Sequence, residues 1–137
     1  MRDTTPNLLR IGLLADAAAS GAMGLLLVLL PGTLSALFGL PAMLLAIVGL
    51  VCLGWAALTA WLGRQAAPAP RLVRTVIVLN AIWIADSLLL LVLGPALAGL
   101  APTAPGTAFV LAQAAAVAGF TALQAIGLRR AAAPAFA

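Results

Sequence analysis

Four long apolar stretches make up most of this chain, and they determine the environment in which it can fold. They cover residues 8–30, 42–62, 72–93 and 107–128. An α-helix needs about 20 apolar residues to cross the roughly 30 Å hydrocarbon core of a bilayer. Hydrocarbon offers no hydrogen-bond partners, so each span must satisfy its own backbone, and no period-2 alternation suggests a β-barrel. The sequence therefore predicts an all-α integral membrane protein, a four-transmembrane-helix bundle forming one membrane domain over residues 1–137.

The composition excludes a soluble fold. The chain is 65% hydrophobic and only 7% charged, whereas soluble domains are typically about half apolar and about a quarter charged. The net charge of +4 does not indicate nucleic acid, because the basic residues are scattered and no aromatic residues are interleaved with them. We expect the lipid bilayer as the partner, with anionic headgroups near the arginines.

Basic residues lie only at the ends of the apolar stretches. The seven arginines are Arg2, Arg10, Arg64, Arg71, Arg74, Arg129 and Arg130. Lys and Arg are retained on the cytoplasmic side of short loops, and the loops at residues 31–41 and 94–106 carry no charge. We expect a multi-pass protein of the bacterial inner membrane with both termini in the cytoplasm. The first stretch is too long for a signal peptide and contains Asp16, so we expect it to be retained.

Helix-breaking residues predict where the spans end. Pro31 with Gly32 is expected to close the first span, and Gly94 with Pro95 the third. The loop after the first span still contains an apolar piece, residues 33–40. We expect this piece to form a short helix along the membrane interface.

The two halves of the chain align at an offset of 64 residues, as segments 7–63 and 71–127. The informative pairs are Arg10 with Arg74, Pro31 with Pro95, Pro41 with Pro105 and Gly63 with Gly127. Any four-span protein with arginines at one side would show the arginine match, but not both proline matches. The alignment predicts two tandem helix-hairpin repeats related by an axis along the membrane normal.

Few side chains in this sequence can carry chemistry. The chain has no histidine, tyrosine or lysine, which excludes Ser-His-Asp triads, histidine metal sites and lysine Schiff bases. The single cysteine, Cys52, can form neither an internal disulfide nor a CxxC pair and is expected to be a small buried hydrophobe. No Gly-rich phosphate-binding motif is present. We therefore expect no enzymatic activity, no cofactor and no metal.

Two acids, Asp16 and Asp86, lie inside predicted spans, where an ionisable group is costly and suggests a functional site. Asp16 corresponds to Asn80 under the repeat, and an amide donor at that depth can hydrogen-bond a carboxylate. The alternative is interhelical adhesion, worth about 0.6 to 2 kcal/mol per hydrogen bond. The candidate residues of a polar cavity are Asp16, Ser20, Asn80, Trp83, Asp86 and Gln124.

Small residues at helical spacing predict where helices approach closely. In the first span a stripe with four-residue steps runs from Gly12 to Gly24 and includes Asp16. The second span alternates steps of three and four, the spacing of a left-handed packing seam. The candidate packing residues are Gly12, Gly24, Gly49, Cys52, Ala56, Thr59 and Gly63. In the fourth span Gln113 and Gln124 share a face and are expected to point either inward to the acids or outward to a partner.

Several segments resemble a group of small, functionally uncharacterised bacterial four-span membrane proteins. They are LLADAAASGAMGLLLVLLPG, LFGLP, LNAIWIADSLLLL and FVLAQAAAVAGFTALQAIGLRR. More distantly, four helices with the termini inside and small residues after the first basic cap are similar to the DoxX-like superfamily. That resemblance implies a four-helix fold and links to quinone-related redox partners or membrane complexes. It assigns no site residue here, because no DoxX-specific motif aligns with this chain.

Three functional hypotheses follow. The first is an accessory or scaffold subunit that packs against a membrane-protein partner or against itself, and the scarcity of reactive side chains and the small-residue seams favour it over the other two. The polar candidates favour a binder or carrier of a lipophilic small molecule, such as a quinone or lipid. A membrane enzyme has the least support, since two separate carboxylates do not make a catalytic constellation.

Overall fold

The computed structural model describes residues 8–133, and every regular element in this range is an α-helix. The helices are α1 (Leu8–Leu29), α2 (Pro31–Phe38), α3 (Ala42–Arg64), α4 (Pro70–Ala98) and α5 (Ala104–Ala132). Four of them, α1, α3, α4 and α5, are long and apolar enough to cross a bilayer. The prediction of an all-α four-span bundle is confirmed. Arg2 and both chain termini lie outside the described residues.

The predicted end of the third span is wrong. Helix α4 continues through Gly94 and Pro95 and ends at Ala98. A proline removes one backbone hydrogen bond, but transmembrane helices tolerate this where neighbouring groups compensate. The actual stop is Gly99, which adopts a left-handed backbone (φ 62°) and donates its N–H to the Gly94 carbonyl. Gly99 thus forms the helix C-cap, whereas the sequence pattern predicts the end of the helix five residues earlier, at Gly94.

Helix α2 is the short helix expected in the first apolar loop. It begins at Pro31 and ends at Phe38, and the next residue, Gly39, has a φ of 67° and forms another left-handed cap. The Thr103 hydroxyl donates to the Leu37 carbonyl over 2.6 Å, and the Phe38 ring stacks on Phe109 of α5 at 4.5 Å between centroids. These contacts anchor α2 to the start of α5.

The four long helices pack in the spatial order α3, α1, α5, α4. Helix α1 packs on both α3 and α5, and α4 packs on α5. Within residues 8–133, α3 and α4 approach each other only marginally. A gap therefore separates these two helices, which are adjacent in sequence but not in packing.

Two apolar clusters close the bundle at its ends. The first cluster lies where α1 begins and α3 ends, and contains Leu9, Leu13, Leu62, Val73 and Val76. The second lies near α2 and contains Leu27, Phe38, Leu40, Leu45 and Val110. Buried polar side chains lie between them, at intermediate depth.

The predicted small-residue seams are used for contacts inside the chain. A Cβ at Gly24 would lie 2.8 Å from the Gly49 carbonyl oxygen, and one at Gly63 would lie 2.8 Å from the Leu14 side chain. Ala56 faces Gly21, and Thr59 is buried with its hydroxyl donating to the Trp55 carbonyl over 2.9 Å. The seam of α3 thus packs on α1 rather than facing outward.

Candidate functional site

A buried carboxylate links three helices at the centre of the bundle. Asp16 of α1 has 0% of its surface exposed. One carboxylate oxygen accepts hydrogen bonds from Asn80 of α4 over 2.9 Å and from Gln124 of α5 over 3.0 Å, and the other accepts from Ser20 over 3.1 Å. We call Asp16, Ser20, Asn80 and Gln124 the carboxylate network. The hydrogen bond expected between Asp16 and Asn80 is present.

Close approach of α1 and α5 brings the network together. A Cβ at Gly12 would lie 3.0 Å from the Leu123 Cβ and 3.1 Å from Gln124, so only a small residue fits there. Gln124 also donates to the Gly12 carbonyl over 3.4 Å, and Asn80 donates to the Gln124 side-chain oxygen over 3.3 Å. Every amide hydrogen of Asn80 and Gln124 therefore has a partner.

A second set of hydrogen bonds joins α4 to α5. The Trp83 indole donates to the Gln113 side-chain oxygen over 2.8 Å, and the Gln113 amide donates to the Ser87 hydroxyl over 2.8 Å. Ser87 in turn donates to the Trp83 backbone carbonyl over 2.7 Å. We call Trp83, Ser87 and Gln113 the indole network, and it fixes the orientation of the Trp83 ring.

Asp86 differs from Asp16 in its surroundings. Its side chain is exposed, and it has no hydrogen-bond or ion-pair partner among residues 8–133. Its position near the middle of α4 places this carboxylate far from either end of the span. A charged group at that depth is costly in lipid, so an unpartnered acid there is the unusual feature of the structure.

Two adjoining cavities lie beside these networks, and Asp86 lines both. The larger, which we call the central cavity, has a volume of about 300 Å³. The smaller has about 170 Å³ and extends toward the apolar cluster near α2. Met23, Trp83, Asp86 and Gln113 line both spaces. The two cavities therefore form one region between the carboxylate network and the end of the bundle.

The central cavity lies where α3 and α4 fail to pack. Val51, Cys52 and Trp55 of α3 line one side, and Leu79 and Ile82 are among the α4 residues on the other. Val51, Leu79 and Ile82 are 54%, 43% and 49% exposed, respectively, so the rim of the cavity belongs to the lipid-facing surface of the bundle.

The structure brings most of the predicted site residues together. Asp16, Ser20, Asn80, Trp83 and Asp86 line the central cavity. Gln124 does not line it and instead holds Asp16 from the α5 side. Cys52, predicted only as a packing residue, is buried and also lines the cavity.

Several lining residues were missed at the sequence level. Gln113 was recognised as sharing a face with Gln124 but not as a site residue, although it touches both cavities. Trp55 and Phe120 were not assigned to the cavity either. Their helical positions alone carry no signal that separates a cavity wall from a packed core.

Protein-family models, curated proteins and solved structures were all compared with this chain, and none of them matches. The site must therefore be interpreted from its own residues. Within the described range no three Asp, Glu, Cys or His side chains come together as a metal-binding group.

Proposed function

We propose that this protein binds a lipophilic small molecule in the central cavity. The observation that carries the proposal is the Asp86 carboxylate, which has no partner within residues 8–133 and lines a cavity of about 300 Å³ near the middle of α4. Ligand sites are typically apolar cavities with a few convergent polar groups, from about 300 Å³ upward. A carboxylate kept without a partner in such a cavity is a feature that helix adhesion alone does not need.

The Asp16 carboxylate supports the proposal in a different way. Its three hydrogen bonds are all made within the chain, so we assign it to holding α1, α4 and α5 around the cavity. Asp86 is the acid left for the ligand. The two acids thus receive different roles.

Filling the cavity tests the proposal. Ala116 of α5 lines the central cavity, whereas Ala112, one turn earlier and also exposed, lines neither cavity. We expect wild-type protein purified in mild detergent to retain a lipophilic small molecule detectable by mass spectrometry. Ala116→Phe should lose at least nine-tenths of it by occupying the space, and Ala112→Phe should retain it. Equal retention by both variants would contradict the proposal, and so would a wild-type protein that neither retains a lipophile nor binds an added one.

An accessory subunit remains the second candidate function. The observation in its favour is a row of exposed small residues on α5, spaced by four and three residues as in a packing seam. The row is Ala108, Ala112, Ala115, Gly119 and Ala122. A Cβ at Gly119 or at Gly54 of α3 would meet nothing within 4 Å. Gly119→Leu should therefore release a stoichiometric partner, and Gly54→Leu should not. Equal release by both would remove this candidate.

We further propose a bacterial inner-membrane location with both termini in the cytoplasm. Its support is the confinement of the described arginines to one end of the bundle, where α1 begins and α3 ends.

The duplication of the helix hairpin also remains a proposal. The hydrogen bond between Asp16 and Asn80, 64 residues apart, supports it. The gap between α3 and α4 departs from it, since the equivalent pair, α1 and α5, packs closely.

A further inference from the structure

The polar groups that line the central cavity offer a ligand very few donors. Both amide hydrogens of Asn80 are engaged, the Ser20 hydroxyl donates to Asp16, and the Trp83 indole donates to Gln113. The exception is Gln113, which makes one donor bond and has a second amide hydrogen. A ligand with only acceptor groups, such as a bare carbonyl or a carboxylate, would find little to bind it.

The ionisable side chains that face the cavity are acidic. Asp86 and Asp16 line it, and none of the arginines between residues 8 and 133 does. Asp16 already accepts three hydrogen bonds, so Asp86 is the acceptor available to a ligand. In a surrounding of low dielectric constant, a carboxylate favours a positive partner strongly and excludes an anion.

Aromatic side chains complete the lining. Three helices each contribute one aromatic ring to the central cavity: Trp55 from α3, Trp83 from α4 and Phe120 from α5. The face of an aromatic ring attracts a cation, and tryptophan does so most strongly. The indole network holds Trp83 one turn from Asp86 on the same helix. The carboxylate and the aromatic rings thus both favour a ligand with a cationic headgroup.

We propose that the ligand is a lipophilic amine bound as its protonated cation, with the ammonium on Asp86 and its apolar body among the aromatic rings. This rests on the proposed function, because it specifies the ligand class of the same cavity. It selects against quinones, because their two carbonyls need donors and only the second amide hydrogen of Gln113 is left to donate. The cation also neutralises a carboxylate that would otherwise remain uncompensated at mid-membrane depth.

Three probes with one apolar body test the proposal: 4-phenylbutylammonium, 4-phenylbutan-1-ol and 4-phenylbutyrate. Each should fit, because a cavity of about 150 Å³ already holds benzene. Binding is measured by equilibrium dialysis against the full chain in lipid nanodiscs, with empty nanodiscs to subtract partitioning. We expect the ammonium to bind about tenfold more tightly than the alcohol, and the carboxylate to bind more weakly than both. Equal binding of ammonium and alcohol would overturn the amine proposal.

Variants at Asp86 assign the preference to this side chain. Asp86→Asn should remove the preference, so that the ammonium binds no more tightly than the alcohol, whereas Asp86→Glu should keep the preference. A preference that survives in Asp86→Asn would overturn the role of Asp86. If none of the probes binds while a lipophile still co-purifies, the amine proposal fails and the proposed function stands. If nothing binds or co-purifies, the proposed function itself fails.

Discussion

Gly106→Ala should destabilise the folded bundle by about 3 kcal/mol, near the upper end of what overpacking usually costs. A Cβ at Gly106 would overlap the Phe38 carbonyl group, which is backbone at the end of α2 and cannot rotate away. The start of α5 would then have to separate from α2, losing the stacking of Phe38 on Phe109. Thermal unfolding in detergent, followed by far-UV circular dichroism, should show a clearly lowered midpoint.

Gly119→Ala is the matched control, because it makes the same chemical change on the same helix. A Cβ at Gly119 would meet nothing within 4 Å, and alanine favours a helix over glycine by up to about 1 kcal/mol. The midpoint of this variant should therefore stay the same or rise. Equal midpoints for Gly106→Ala and Gly119→Ala would show that α2 and α5 do not approach as described.

Asp16→Leu should cost about 3 kcal/mol, whereas Asp86→Leu should leave stability unchanged or improve it. Leucine at position 16 leaves the buried Asn80 and Gln124 amides without the oxygen that both use, and each unsatisfied donor costs about 1 to 3 kcal/mol. Asp86 makes no such bond in the described chain, and an apolar side chain is favoured at that depth. Denaturation midpoints of the two variants in one detergent give the comparison.

A more conservative change at the same position separates hydrogen bonding from packing. Asp16→Asn keeps an oxygen that can face Asn80 and Gln124, so it should lose much less stability than Asp16→Leu. In a double-mutant cycle, Asp16→Leu combined with Asn80→Leu should cost less than the two single changes added together. Strict additivity would mean that these side chains contribute independently, against the 2.9 Å hydrogen bond between them.

The fold was largely predictable because its determinants are local. Span length and arginine position depend only on the order of residues, and they placed the four long helices correctly. The end of α4 was not predictable from Pro95, because a proline ends a helix in water more strictly than in a membrane bundle. Gly99 is the glycine that ends the helix, but the earlier pair of Gly94 and Pro95 predicts a helix end as well, and the sequence does not show which of the two is used.

The site was predictable only in part. Helical spacing and the 64-residue alignment brought Asp16 and Asn80 together correctly. The same spacing gave no indication that Asp16 is satisfied while Asp86 has no partner in the described part of the chain, because that difference depends on Gln124 reaching across from α5. The cavity itself lies where α3 and α4 approach each other only marginally. Sequence patterns predict contacts that form, and they give no signal for a pair of helices that stays apart.

The short connection between α3 and α4 has a mechanical consequence for the gap between them. Residues 65–69 tether the end of α3 to the start of α4, on the same side as the apolar cluster that contains Leu62 and Val73. The two helices are therefore held together at one end and are less constrained at the other. If either helix tilts about this connection, the distance between α3 and α4 changes least beside residues 65–69 and more toward Asp86. A small rotation of one helix therefore has its larger effect on the width of the gap beside Asp86.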